Sequence, residues 1–179
     1  MESTAVNPHI YPIGKYTAPP FIDAQMRSEF LQRIETLPAR LRNMAEQLNE
    51  NQLASSYREG GWSARQIIYH LADSHCNFYI RVKLALTADQ PTINPYDENQ
   101  WAEFDEAKHG NILIALQMID VLHRRLVASL RSTDVEQFKK TYVHPQYNTT
   151  TSIDQALALY AWHGDHHLAQ IGVVRSLYP

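Results

Sequence analysis

The chain has 179 residues, of which 44% are hydrophobic and 20% charged, the balance of an ordinary globular protein. A formal net charge of −3, with the basic residues scattered, excludes the positive surface of a typical nucleic-acid-binding protein. No apolar run approaches the roughly 18 residues of a membrane span, and Cys76, the only cysteine, excludes an intramolecular disulfide and a thiolate zinc cluster.

The first twenty residues predict an irregular arm, because prolines prevent regular backbone pairing. The prolines are Pro8, Pro12, Pro19 and Pro20. No basic segment is followed by an apolar one, as a secretory signal peptide would require, so we expect a cytoplasmic protein. Residues 21–179 are expected to form a single domain, since a chain of this length can bury a large core without disulfides.

A first helix is predicted after Asp23, whose carboxylate can cap its N-terminus. Its apolar residues recur at intervals of three and four, which is typical of an amphipathic helix. They are Phe30, Leu31, Ile34, Leu37, Leu41, Met44 and Leu48. Pro38 interrupts this pattern and predicts a kink or a restart of the helix.

The second helix has the strongest start signal in the chain, because Ser63 and Gln66 have the spacing of a capping box. It is predicted to continue to about Thr87. Two prolines, Pro91 and Pro95, then predict a loop over residues 88–100.

A third helix is predicted after Asn111 and should continue to about Arg131. Residues 133–151 are expected to hold a short turn of helix at most, and then a loop. Ser152 and Gln155 repeat the capping-box spacing and open a fourth helix that continues to about Leu177. Four long amphipathic segments without a convincing alternating strand predict an all-α protein, a four-helix bundle with an N-terminal arm.

Two histidines, His163 and His167, lie four residues apart on the predicted apolar face of the fourth helix. His70 lies among apolar residues of the second helix. Imidazoles that face a protein interior must be hydrogen-bonded, paired with a charge, or bound to a metal. Three neutral imidazoles can hold a divalent ion and leave positions open for water or substrate, as in catalytic zinc sites.

Two alternatives stay open on this helix. A pair of hydrogen-bonded core or surface histidines explains most His-x-x-x-His spacings, and His166 competes with His167 because it also shares a face with His163. We prefer His167 because its helical neighbours are more apolar. Gly164 stands where the metalloprotease motif would place a glutamate, so that general base is absent. This glycine either permits close helix packing, which we prefer, or leaves room near the metal.

Asp73 lies about one helical turn beyond His70 and could orient an imidazole or hold a water molecule, although an exposed carboxylate explains it equally well. Asp73 and His166 are the candidate proton acceptors of the site. His75 and His123 are expected to lie at the surface or to support a metal ligand from behind.

Several segments occur together that resemble one known family. They are the run of residues 70–75, the segments 79–87 and 91–103, and residues 160–164 followed by His166 and His167, with a further match in residues 11–15. This combination, which covers most of the chain, resembles the YfiT-like branch of the DinB superfamily.

The resemblance implies a four-helix bundle in which His70, His163 and His167 hold one divalent ion, zinc or nickel. It also implies a homodimer and a metal-dependent hydrolase that activates water against a small-molecule substrate. Some relatives are instead thiol-S-transferases, which couple bacillithiol, mycothiol or glutathione to electrophiles; in that case Arg81 and Lys83 are candidates to bind the carboxylates of the thiol. Metal storage or sensing without catalysis is a third alternative.

Overall fold

The computed structural model describes residues 8–179, in which helices predominate. In chain order the elements are α1 (Ala24–Ala45), α2 (Glu50–Ala54), α3 (Ala64–Thr87), α4 (Glu98–Ala102), α5 (Asp105–His109), α6 (Ile112–Arg131), a 3-10 helix (Val135–Lys139), β1 (Thr141–His144), β2 (Thr149–Ser152) and α7 (Ile153–Leu177). The four long helices α1, α3, α6 and α7 form the expected four-helix bundle.

The order of the helices around the bundle brings α3 beside α7. Helix α1 packs against α6 and α7, and α3 packs against the same two helices. The first and second long helices, α1 and α3, therefore lie across a diagonal of the bundle. The predicted ligand His70 on α3 consequently faces the helix that carries His163 and His167.

The interior consists of two apolar clusters. One contains Leu37, Leu71, Ile119 and Ile171, and the other contains Ile34, Phe78, Leu126 and Leu157. Along α3, α6 and α7 the change from one cluster to the other falls at histidines: His75, His123 and the segment 163–167. A polar layer of imidazoles therefore divides the core, and each ring in it requires a partner.

The predicted helix caps are confirmed. Asp23 accepts a hydrogen bond from the backbone amide of Met26 at the start of α1. Ser63 and Ser152 each form a complete capping box, in which the serine and the glutamine three residues later bond each other's backbone amides. Helices α3, α6 and α7 also end where the sequence predicted, at residues 87, 131 and 177.

Of the two alternatives predicted at Pro38, a kink or a restart, the restart is wrong, because α1 continues through this residue to Ala45. An interior proline costs about 3 kcal/mol, since it removes one backbone hydrogen bond and crowds the preceding turn. Ile34, Leu37 and Leu41 on either side of it are fully buried, and burial of such side chains stabilises a fold by about 1.5–3 kcal/mol each. Packing of the helix therefore outweighs the local preference.

The prediction of a loop over residues 140–151 is also wrong in part. The expected short helical turn is present at Val135–Lys139, but β1 and β2 then form an antiparallel hairpin in which Thr141 lies opposite Ser152. The strand Thr149–Ser152 is polar and contains no buried residue, so it has no apolar alternation that sequence reasoning could detect. The short helices α2, α4 and α5 were likewise not predicted, and α4 begins at the end of the expected loop 88–100.

Residues 8–23 contain no helix or strand, as predicted for the arm, and residues 1–7 of the arm lie outside the described part of the chain. The arm packs on α7: the ring of Tyr11 lies 5.7 Å from that of His166, and the ring of Tyr16 lies 5.7 Å from that of Trp162. No helix in residues 8–179 combines the length and the apolar character needed to cross a membrane.

Candidate metal centre

Three imidazole rings converge between α3 and α7. Nε2 of His163 lies 3.1 Å from Nε2 of His70 and 3.2 Å from Nε2 of His167. His70 and His167 are buried, at 8% and 6% exposure, whereas His163 is half-buried. One ligand atom from each residue lies within 4.8 Å of the others, so the structure brings together the three residues that the sequence selected.

The three rings are neutral near pH 7. Burial lowers the pKa of His70, His163 and His167 well below the ordinary value of 6.5, because a charged imidazole loses its hydration. Repulsion from neighbouring histidine charges acts in the same direction. A neutral imidazole carries a proton on one nitrogen and a lone pair on the other, so its hydrogen bonds determine which nitrogen can bind a metal.

The tautomer of His167 is determined by Gln170. The Nε2 amide of Gln170 donates to the carbonyl oxygen of Ile10 in the arm, at 3.1 Å, which directs its Oε1 toward His167. Nδ1 of His167 lies 2.8 Å from that oxygen and must donate to it. The lone pair of His167 is therefore on Nε2, the nitrogen that faces the other two rings.

The tautomer of His163 is determined by a chain of two further histidines. The carbonyl oxygen of Ile34 lies 2.6 Å from Nδ1 of His123, so this nitrogen donates and Nε2 of His123 accepts. Nδ1 of His75 lies 2.9 Å from that Nε2 and donates to it, which leaves Nε2 of His75 to accept from Nδ1 of His163 at 3.3 Å. The lone pair of His163 thus also faces its two partners.

Burial also keeps His75 and His123 neutral. It lowers the pKa of His75 well below 6.5 and that of His123 to about 4. His75 and His123 are almost completely inaccessible, at 0% and 1% exposure. Of the two expectations for these residues, a surface position is wrong, and a position behind a predicted ligand is confirmed.

The geometry of the three Nε2 atoms suits a divalent ion. Lone pairs that face one another repel unless a proton or a cation lies between them, and the hydrogen bonds of His163 and His167 direct their protons elsewhere. Two nitrogens bound tetrahedrally at about 2.0–2.1 Å lie about 3.3 Å apart, and adjacent nitrogens in an octahedral site lie about 2.9 Å apart. The observed separations of 3.1 and 3.2 Å lie between these values.

A cavity of 330 Å³ adjoins the three histidines. This volume lies at the lower end of the range for small-molecule sites, about 300–1,000 Å³. Its wall includes Arg81 of α3, Glu98 of α4 and Tyr160 of α7. Tyr96, from the loop before α4, and His144 of β1 also line it. Trp62 also belongs to this wall, with its ring 4.6 Å from that of His70.

The two candidate proton acceptors occupy different places. His166 adjoins the cavity, and its ring stacks on Trp162 at 4.6 Å; within residues 8–179 its buried Nδ1 has no hydrogen-bond partner. Burial lowers its pKa to about 4. Asp73 is not part of the cavity wall, and burial together with the charge of Glu106 raises its pKa to about 6. Only His166 therefore adjoins the proposed reaction site.

The two basic candidates, Arg81 and Lys83, also occupy different places. Arg81 is buried in the wall of the cavity, at 8% exposure. Lys83 is exposed, and its ammonium lies 5.7 Å from the ring of Tyr79 outside the cavity. The structure thus brings only Arg81 to the histidines.

Gly164 permits close packing of α7 on α1, as expected. A Cβ atom at this position would lie 2.5 Å from Cδ2 and 3.2 Å from Cδ1 of Leu37. A contact of 2.5 Å is essentially never seen for a real Cβ atom, so a larger residue would separate the helices or displace Leu37.

Sequence reasoning missed the supporting role of Gln170 and the connection between His75 and His123. The spacing of three residues between His167 and Gln170 was an available signal, because such residues are neighbours on a helix. The series of hydrogen bonds that joins Ile34, His123, His75 and His163 had no such signal, since its members come from four different helices.

Comparison with known proteins agrees with this geometry. The sequence profile of the DinB superfamily matches residues 33–171. YfiT of Bacillus subtilis, provisionally named a metal-dependent hydrolase, is 41% identical over 161 residues, which cover 90% of each protein. A relative in Oceanobacillus iheyensis with the same provisional name is 45% identical over 161 residues, covering 90% of this chain and 92% of the relative.

Two solved structures extend the comparison. That of Bacillus subtilis YfiT superposes with a TM-score of 0.92 at 39% identity, covering 96% of this chain and 98% of that chain. A mycothiol-dependent maleylpyruvate isomerase superposes with a TM-score of 0.63 at 16% identity, covering 82% and 60% respectively, which shows a shared fold. The matched profile and the high identity to YfiT over nearly the whole chain show that this protein belongs to the YfiT-like branch of the DinB superfamily.

Proposed function

We propose that the protein is a metal-dependent hydrolase in which His70, His163 and His167 hold one divalent ion, zinc or nickel. The observation that carries this proposal is the convergence of three neutral imidazoles beside a cavity of 330 Å³. Relatives at 41% and 45% identity have the corresponding provisional name. When bound, such an ion supplies a Lewis acid that lowers the pKa of water toward about 7 and makes it a nucleophile at neutral pH.

The residues of the protein position and surround this centre. Gln170 and His75 direct the lone pairs of His167 and His163 into it. The ring of Trp62 packs against that of His70 and forms part of the cavity wall. His166, whose side chain adjoins the cavity, is the group that we propose to accept the proton of the attacking water.

A second candidate function is thiol-S-transfer, in which a bound thiolate attacks an electrophile. It is favoured by the low pKa of His166, about 4, which makes this ring a weak base. Formation of a thiolate beside a cation requires no dedicated base in the protein. A protein that shares this fold is named a mycothiol-dependent isomerase, which is in keeping with this alternative. Metal storage or sensing is disfavoured, because neither requires a cavity of substrate size beside the ion.

We further propose that the protein acts as a cytoplasmic homodimer. An apolar stripe on α6 supports the dimer: Ile114, Met118 and Val121 are 62%, 41% and 57% exposed and lie on one face of the helix at spacings of four and three. Exposed apolar patches of this kind are typical of interaction surfaces.

Metal analysis of the purified protein, followed by parallel assays of ester hydrolysis and thiol conjugation, tests the metal centre and the two candidate functions. We expect one divalent ion per chain, loss of activity on chelation and recovery on addition of metal. Hydrolysis without added thiol would support the first function. Conjugation that depends on thiol concentration, together with a thiol-induced change in the visible spectrum of cobalt-substituted protein, would support the second. Inactivity of the metal-loaded protein toward both substrate panels would contradict both functions.

A further inference from the structure

Arg81 is a buried cation that no carboxylate of residues 8–179 pairs with. Within these residues its side chain makes one hydrogen bond, from Nη1 to the phenolic oxygen of Tyr160 at 3.2 Å. Its Nε is buried and has no partner in the same part of the chain. Removal of a charge from water is expensive, so buried cations in proteins normally have an anionic partner.

The other two buried arginines follow this rule. Arg27 forms a bidentate pair with Asp154, with both nitrogen–oxygen distances at 2.7 Å. Arg65 pairs with Glu50 and also donates to the carbonyl oxygen of Gly110. Arg81 is therefore an exception among the buried arginines, and it is the one that lines the cavity.

The position of Arg81 relative to the histidines limits the size of a ligand that contacts both. Arg81 lies eleven residues after His70 on α3, which separates their Cα atoms by roughly 16 Å along the helix axis. Side chains on a helix extend toward its N-terminus, so both side chains tilt the same way and only the greater length of the arginine shortens this separation. Tyr160, which Arg81 contacts, lies with its ring 5.6 Å from that of His163. Since Arg81 and the three histidines line the same cavity of 330 Å³, one small molecule in it can contact both the guanidinium and the metal centre.

Glu98 is the acidic residue in the wall of the same cavity. It is half-buried and forms no salt bridge with Arg81. Its negative charge would oppose a second anionic group in the cavity, so a ligand with a single carboxylate fits this wall best. Guanidinium is well suited to that group, because its planar donors match both oxygens of a carboxylate.

We propose that Arg81 binds a carboxylate of the substrate while the reacting group lies at the three histidines. The substrates are then small esters, amides or related compounds with a carboxylate a few carbons from the reacting group. This inference rests on the proposed metal centre.

The test uses two probes of equal length in the zinc-loaded protein: succinate monohydroxamate and its amide-ended analogue. The hydroxamate end of both chelates the metal, and the other end is a carboxylate in one probe and a neutral amide in the other. Isothermal titration is performed on the wild type, Arg81→Gln, Arg81→Lys and the control Lys83→Gln, which changes an exposed charge on the same helix.

We expect the wild type and Lys83→Gln to bind the carboxylate probe roughly tenfold to a hundredfold more tightly than the amide probe. Arg81→Gln should bind both probes with the amide affinity of the wild type, and that retained affinity shows that the fold and the metal are intact. Arg81→Lys should keep part of the preference and serves the same purpose if Arg81→Gln does not fold. Equal binding of both probes by the wild type would overturn the role of Arg81 and leave the metal centre standing. Failure of both probes to bind would overturn the metal centre and this inference together.

Discussion

Replacement of His123 by leucine tests whether a residue two imidazoles away from the centre controls metal affinity. The substitution removes the acceptor for Nδ1–H of His75, whose ring is completely buried. An unpaired buried donor costs about 1–3 kcal/mol. His75 can avoid this penalty by moving its proton to its Nε2, which faces Nδ1 of His163. Nδ1 of His163 must then accept, so the proton of His163 moves to the Nε2 of His163, the metal-facing nitrogen.

The metal-free variant should adopt this shifted tautomer, and metal binding must reverse it. The affinity should therefore fall by a free energy of about 1–3 kcal/mol, which is roughly a 5-fold to 150-fold increase in Kd. This range agrees with the loss of about 10–100-fold that follows removal of groups supporting metal ligands in other proteins. Competition of the protein with a chelating indicator for zinc measures the change.

His123→Gln is the matched control, because its amide provides one donor for Ile34 and one acceptor for His75, as the imidazole does. We expect it to retain most of the wild-type affinity. Nitrogen NMR of the imidazoles should show the proton of His163 on Nδ1 in the metal-free wild type and on Nε2 in His123→Leu. Wild-type zinc affinity in His123→Leu, with the proton of His163 still on Nδ1, would refute this reasoning.

Three further predictions concern stability and assembly. Gly164→Ala should lower the free energy of unfolding by about 1–3 kcal/mol in urea denaturation because of the contact with Leu37. The control Gly172→Ala, whose Cβ meets nothing within 4 Å, should be neutral or stabilising by up to about 1 kcal/mol. Equal effects of the two substitutions would contradict the packing argument. The pKa of His123 is about 4 in the folded protein and 6.5 in the unfolded chain, so its contribution to stability is complete above pH 6.5 and is lost as the pH falls. At pH 5 this residue alone should lower the free energy of unfolding by about 2 kcal/mol. Thermal unfolding of the metal-free protein at falling pH should show a smaller loss of stability in His123→Gln than in the wild type, and an identical loss would contradict this assignment. Met118→Glu should convert a dimer to a monomer in light scattering, and an unchanged mass would contradict an α6 interface.

Local chemistry made much of the fold predictable. Ser63 and Ser152 start helices because their hydroxyls satisfy backbone amides within three residues, and such interactions can be read from a short window of sequence. The course of α1 through Pro38 could not be predicted in this way, since it depends on burial against α6 and α7. The hairpin was also inaccessible, because the strand Thr149–Ser152 lacks an apolar face.

The same distinction applies to the site. His163 and His167 were recognisable because their spacing and apolar neighbours placed them on one inward face of a single helix. Their approach to His70 required the diagonal arrangement of α1 and α3, which periodicity cannot reveal. The role of His123 depends on a backbone carbonyl of α1 and a side chain of α3, so only tertiary structure could identify it.

The central claim is that His70, His163 and His167 hold the ion and that the adjacent His166 does not. Zinc titration of His167→Ala and His166→Ala tests it most directly, because the two residues are neighbours with the same side chain and equal exposure of 6%. We predict one zinc ion per chain in the wild type and in His166→Ala, and greatly weakened binding in His167→Ala. Loss of zinc by His166→Ala alone, with binding retained in His167→Ala, would contradict the assignment.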